Sequence, residues 1–156
     1  MIVVIQRVAE ARVEVEGEVV GEVGVGLLVL AGVRKGDEDA DAECLADRVA
    51  GLRIFEDERG RMNRSAVDLG HGALVVSQFT LCADVRRGRR PGFDGAAPPD
   101  EAVPRLATFV RELEAKGLTV AQGRFGATMN VHLVNAGPAT FVLDSADWLS
   151  RPDRSG

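Results

Sequence analysis

Two hydrophobic periods divide this chain. Ile2 to Val8 reads as an apolar strand, and Arg12 to Glu18 alternates, with Val13 and Val15 on one face and Arg12, Glu14 and Glu16 on the other. A side-chain period of two marks a half-exposed strand of an antiparallel sheet. Glu16-Gly17-Glu18 predicts a turn into Val19-Val20, and Gly21, Gly24 and Gly26 punctuate the chain before the buried strand Leu27 to Val33. These glycines do not make a phosphate loop, because no Gly-Lys-Ser/Thr follows and the next element is a strand.

The period lengthens over Asp37 to Leu52, where Ala42, Leu45, Val49 and Leu52 share one helical face. Asp37 is the expected N-cap, and Glu38 and Asp39 suit the positive end of the helix dipole. Arg53-Ile54-Phe55 predicts a short strand, Glu56 to Asn63 a charged turn around Gly60, and Leu74 to Leu81 a strong strand. Val85 to Pro99 is a loop rich in Arg, Gly and Pro. A second helix starts near Pro99-Asp100-Glu101, carries Val103, Leu106, Val110 and Leu113 inward, and ends at Gly117. Leu118 to Gly123, Thr128 to Val134 and Thr140 to Leu143 complete the strands. Two helices cannot supply crossovers for so many strands. The expected fold is therefore α+β, a mixed, largely antiparallel, barrel-like sheet with two main helices. A single domain is expected over 1–144, followed by a loose polar tail from Ser145 to Gly156 in which Trp148 is the side chain able to dock.

Composition narrows the chemistry. The chain has 156 residues, 46% hydrophobic and 28% charged, enough for one domain with a real core. A net charge of −5 provides no global field for nucleic acid, so any RNA contact must come from a local basic patch. DNA is not expected as a partner. No apolar run approaches a membrane span and no signal-peptide pattern opens the chain, so no membrane role is expected. Cys44 and Cys82 read as reduced thiols in the cytoplasm. His71 and His132 are far apart and lack ligand spacing, so neither a metal nor another cofactor is expected. No local signature points to a Ser–His–Asp triad.

Four features stand out. Gly137-Pro138 lies between two strand-like runs, where proline removes a ladder N–H. It reads either as an ordinary turn or as a cis bond that aims backbone carbonyls into a pocket. Ser77, Gln78 and Thr80 interrupt an otherwise apolar strand, with Phe79 among them; hydrated edge residues are the common explanation. Arg86, Arg87, Arg89 and Arg90 form the basic cluster of an acidic chain, either a solvated loop or a phosphate site built from guanidinium forks. Phe125 and Met129 are either ordinary core or the lining of a pocket.

Together these features carry a resemblance. Gln6-Arg7-Val8, Leu52-Arg53-Ile54-Phe55-Glu56-Asp57-Glu58 with Met62-Asn63, Ser77-Gln78-Phe79-Thr80-Leu81, Gly88-Arg89-Arg90-Pro91 with Phe93, Phe125-Gly126-Ala127 with Met129, and Asn135-Ala136-Gly137-Pro138-Ala139-Thr140 resemble the D-aminoacyl-tRNA deacylase family in order and spacing from Met1 to about Thr140. Ala136 stands where an acidic residue is common and Ala139 where valine is common. The resemblance implies hydrolysis of the ester that joins a D-amino acid, or mischarged glycine, to the terminal ribose of tRNA. It also implies a homodimer in which a cis Gly137-Pro138 of one subunit enters the pocket beside the other's Ser77-Gln78-Phe79-Thr80, with Arg7 bracing the Gly-Pro segment. The basic loop Arg86 to Arg90 is expected to contact tRNA near its acceptor end.

Backbone carbonyls suit a chirality filter, because the fold and not a rotamer fixes them. They reject an L side chain by clash and accept glycine. For the chemistry, Thr80 as nucleophile would need a base, and the sequence offers none. The favoured alternative is activation of water by the ribose 2′-hydroxyl, with backbone N–H groups near Phe79 and Thr80 holding the oxyanion. Two further function classes stay open: a non-catalytic tRNA-binding or editing module, and an esterase of other specificity on the same fold.

Overall fold

The two N-terminal strands expected from sequence are one. In a computed structural model describing residues 1–149, β1 runs unbroken over Ile2–Val15. Its residues 2–8 pair antiparallel with β3 (Gly26–Gly32), and its residues 11–15 pair with β2 (Glu18–Val23). Its other edge pairs along nearly its whole length with β8 (Asn130–Asp144). Beyond β3 the sheet continues in parallel through β6 (Gly72–Ser77) and β7 (Thr119–Gln122). The connection from β3 to β6 contains α1 (Asp39–Gly51) and a small antiparallel pair, β4 (Phe55–Glu56) and β5 (Met62–Arg64). The connection from β6 to β7 contains α2 (Pro99–Ala115). Each helix supplies one parallel crossover and every other pairing is antiparallel, which makes the mixed α+β sheet that the element order requires.

The sheet curls until β2 approaches β7. A Cβ on Gly21 would fall within contact distance of the Gln122 carbonyl, and one on Gly26 against the Gly72 carbonyl. Both are sites of close backbone approach, Gly21 where β2 meets β7 and the sheet nearly closes into a barrel, Gly26 within the β3–β6 ladder. On the helix-covered face, Val3, Ile5, Val29, Ala31 and Val75 pack with Leu45, Val49, Phe109 and Leu113. A second cluster, including Val8, Val13, Leu28, Leu74 and Val76, occupies the opposite face. β3 and β6 are therefore buried on both faces and read as continuous apolar runs.

Several boundaries differ from the sequence expectation. Helix α1 starts two residues late, with Glu38 as N-cap, and its backbone N–H donates to Asp41 Oδ2 at 2.8 Å. Asp37 does other work: it is buried 2.7 Å from the Met1 α-ammonium and accepts the Arg34 N–H at 2.6 Å. In α2, Val103 is 45% exposed; Ala102, Phe109, Val110 and Leu113 form the buried face, because fully buried Phe109 sets the helix rotation. The predicted strand through Leu81 stops at Ser77 and turns into a 3-10 segment, Phe79–Cys82.

Ser145, expected at the start of a loose tail, is fully buried. Its Oγ accepts from the Met1 α-ammonium at 2.8 Å and donates to Asp41 Oδ1 at 2.7 Å, so the chain start, the α1 N-terminus and the end of β8 meet in one polar cluster. Trp148 does dock, with the Arg48 guanidinium 4.8 Å above its ring. The expected tail beyond Leu149 lies outside the described residues. Among the described residues no helix is long and apolar enough to cross a membrane. Ser145→Ala removes both the donor and the acceptor of that cluster and leaves buried charge under-partnered; it is expected to cost about 1–3 kcal/mol, read as a lower denaturant midpoint at unchanged slope.

Candidate active site

The parallel strands β3 and β6 end side by side, and a cavity of about 510 Å³ opens beyond their C-terminal ends. Ala31 and Val33 contribute from β3 and the residues following it, and Ser77, Gln78 and Phe79 from the end of β6. Phe125 and Met129, between β7 and β8, supply another wall, and Ala102 and Leu106 of α2 another. Most of the lining is apolar, with Ser77 and Gln78 as convergent polar groups, a composition suited to a small organic group. The fold thus brings together five residues singled out in the sequence: Ser77, Gln78, Phe79, Phe125 and Met129.

The wall that carries Ser77 to Thr80 is a turn, not a strand. The Gln78 N–H donates to the Ala31 carbonyl at 2.8 Å, the last rung of the parallel ladder. The chain then folds back, with Leu81 N–H donating to Gln78 O and Ala83 N–H to Thr80 O. The first N–H groups of such a segment, here on Phe79 and Thr80, precede its internal hydrogen bonds and are open to an acceptor. Thr80 is exposed and lies outside the cavity lining, and its Oγ1 accepts a hydrogen bond from Gln78 Nε2. Among the described residues no histidine or carboxylate is hydrogen-bonded to Thr80, and an amide N–H cannot take its proton.

Gly137-Pro138 is cis and lies within β8. Gln6 pairs with Thr140 and Val8 with Asn135, so Arg7 alone stands opposite residues 136–139, which bulge from the ladder. Arg7 braces that bulge: its Nε donates to the Ala136 carbonyl at 2.7 Å and its Nη1 to the Ile54 carbonyl at 2.6 Å. Asn135 Nδ2 bridges the Arg7 and Ala139 carbonyls. A Cβ on Gly137 would run into Asn135 Oδ1 and stand 2.8 Å from the Ala139 nitrogen, so glycine is required there. Both Gly137 and Pro138 are exposed and lie outside the lining of their own chain's cavity.

The arginine loop has a closed neck. Asp84 and Gly92 exchange backbone hydrogen bonds in both directions, at 2.8 and 2.9 Å. Arg86 folds back onto Asp84 through Nε at 2.9 Å and Nη2 at 2.8 Å. The Arg86 guanidinium, with its backbone N–H, holds the Asp84 carboxyl down to about 2. This clamp is present above the ordinary aspartate range and is lost only as pH falls through about 2. Arg87, Arg89 and Arg90 are exposed. Phe93, just past the neck, meets Phe79 edge to face at 5.0 Å and joins the loop to the cavity wall.

A family model described as D-Tyr-tRNA(Tyr) deacylase matches residues 4–144. The chain belongs to this family. A curated relative named D-aminoacyl-tRNA deacylase, from Thermomicrobium roseum, is 60% identical over 147 residues, spanning 94% of this chain and 96% of the relative. Another of the same name, from Roseiflexus castenholzii, is 58% identical over 92% of this chain and 91% of its own. Among solved structures, a c-Myc DNA Unwinding Element Binding Protein superposes with a TM-score of 0.87 at 37% identity over 92% of this chain and 98% of that one. A probable eukaryotic D-amino acid tRNA deacylase superposes at 0.75 with 17% identity, over 92% and 98%, and shows the shared fold.

The deacylase family motifs converge in space, but not all on one cavity. Ser77, Gln78, Phe79, Phe125 and Met129 share it, while Gly137 and Pro138 protrude elsewhere with Arg7 behind them. The two departures from the family pattern have local reasons to be tolerated: Ala136 contributes its carbonyl, and Ala139 is buried by its neighbours. Sequence reasoning missed Ala97 and Ala102 and gave Leu106 only as a core position of the helix, because apolar residues on a helix or beside it carry no chemical signal. A groove of about 780 Å³ between β1, β2 and β8 is larger, but two of its lining side chains are engaged by Glu14 outside the lining: Arg12 Nε donates to Glu14 Oε1 at 3.0 Å, and His132 Nε2 lies 3.2 Å from Glu14 Oε2.

Proposed function

We propose that this protein hydrolyses the ester of D-aminoacyl-tRNA, and of tRNA mischarged with glycine, releasing free amino acid and tRNA in the cytoplasm. Membership of the deacylase family, with the Ser77-to-Phe79 wall facing Phe125 and Met129 across one cavity, carries this reading. The aminoacyl group enters that cavity. A second copy of the chain inserts its Gly137-Pro138 bulge at the mouth, and the carbonyls of that bulge occupy the direction in which an L side chain would project. Exposure of Gly137 and Pro138, and of Val134 and Val142 on the same strand, supports a homodimer built on β8.

Water attacks the ester carbonyl and yields a tetrahedral oxyanion. The Phe79 and Thr80 N–H groups donate hydrogen bonds to that oxyanion, and the ribose oxygen leaves with the proton that the neighbouring 2′-hydroxyl passes on as it takes one from water. The 2′-hydroxyl of the terminal ribose serves as the local base for water; Thr80 positions and does not attack, in keeping with its amide partner and its place outside the cavity lining. The exposed arginines at the rim contact phosphates of the acceptor end.

Incubation with D-Tyr-tRNA and L-Tyr-tRNA is expected to release free tyrosine from the D-ester alone. Equal release from both would end the chiral reading, and binding without release would favour a non-catalytic module. Thr80→Ala is expected to lower kcat only a few-fold; a loss of about 1000-fold or more would make Thr80 the nucleophile. Replacing Arg87, Arg89 and Arg90 together by Ala should flatten the slope of log affinity for tRNA against log salt by about 2 to 3, and an unchanged slope would return the loop to a solvated surface feature.

A further inference from the structure

Gly32 ends β3, where Ile2 pairs with it. One residue earlier, the Ala31 carbonyl receives the Gln78 N–H, and from that point the Phe79–Cys82 segment folds back over β3. A Cβ built on Gly32 would stand 2.9 Å from the Gln78 carbonyl oxygen, 3.1 Å from Leu81 Cβ and 3.2 Å from Cys82 Sγ. Two of these atoms cannot swing aside: one is backbone, the other a Cβ fixed by it. They also bracket Phe79 and Thr80 in the chain. The seat of the turn is the missing side chain of Gly32.

We propose that Gly32 is a positioning residue for hydrolysis: by offering no Cβ it lets the 78–82 turn sit close enough to β3 for the Phe79 and Thr80 N–H groups to point at the developing oxyanion. The proposal rests on the functional reading above. A methyl at Gly32 must lift the turn by tenths of an ångström. Donors aimed at a transition state are sensitive to such shifts, since a displacement of about 1 Å can cost roughly a hundredfold in rate. The apolar walls at Ala102, Phe125 and Met129 and the arginine loop, which hold the ground state, do not touch this contact.

The test compares Gly32→Ala with Gly51→Ala, where the new methyl meets nothing within 4 Å. Gly32→Ala is expected to lower kcat on D-Tyr-tRNA by about tenfold or more with KM within about threefold, and to displace the backbone amide resonances of residues 78–82; Gly51→Ala should do neither. An unchanged kcat, or a rise in KM alone, overturns the proposal. If the wild-type protein hydrolyses neither enantiomer, the functional reading fails, and unmoved 78–82 resonances in Gly32→Ala would separately overturn the seating of the turn. Should Gly32→Ala not fold, Cys82→Val loads the same contact from the turn side; the same kcat-weighted loss supports the proposal, and unchanged kcat overturns it.

Discussion

The hydrogen-bonding of β1 along both edges is the constraint on which the rest of the molecule depends. One strand serves β3 and β2 on one side and β8 on the other. Because β3 is anchored to it, the parallel pair β3–β6 has a fixed end, and the cavity opens at that end. Because β8 is anchored to it, the Gly137-Pro138 bulge has a fixed height above the sheet. Arg7 belongs to β1 itself, so the brace for the bulge is built into the strand that sets the register.

Much of this was legible from the chain. Alternation around Val13 and Val15, the helical spacing of Leu45 and Val49, and the apolar run before Ser77 identified elements whose burial follows from local pattern. The turn at Gln78 was not legible. Phe79, Thr80 and Leu81 have strand-like character, and the room for them to fold back over β3 lies at the distant Gly32, which has no signature in their own sequence. The same holds for Asp37: its position before a helix predicts a cap, but the nearby Met1 ammonium outcompetes the helix for it. For Val103, spacing put it on the inner face of α2, whereas the structure buries Phe109 and leaves Val103 exposed.

The candidate site divides along similar lines. Residues with unusual chemistry for their surroundings, such as Gln78 in an apolar run or arginines in an acidic chain, could be picked out individually. Their convergence could not, because it depends on β6 and the segment before β8 ending at one place. The alanines that shape the cavity carry no chemical signal, so only the folded chain reveals them.

The arginine loop hangs from a neck. Asp84 and Gly92 hold each other by two backbone bonds, which no side chain at either position supplies. The segment between them therefore hangs beyond the neck, and the exposed Arg87, Arg89 and Arg90 stand apart from the Phe93–Phe79 contact beneath it. Charge on the loop and the shape of the cavity wall thus become separately adjustable.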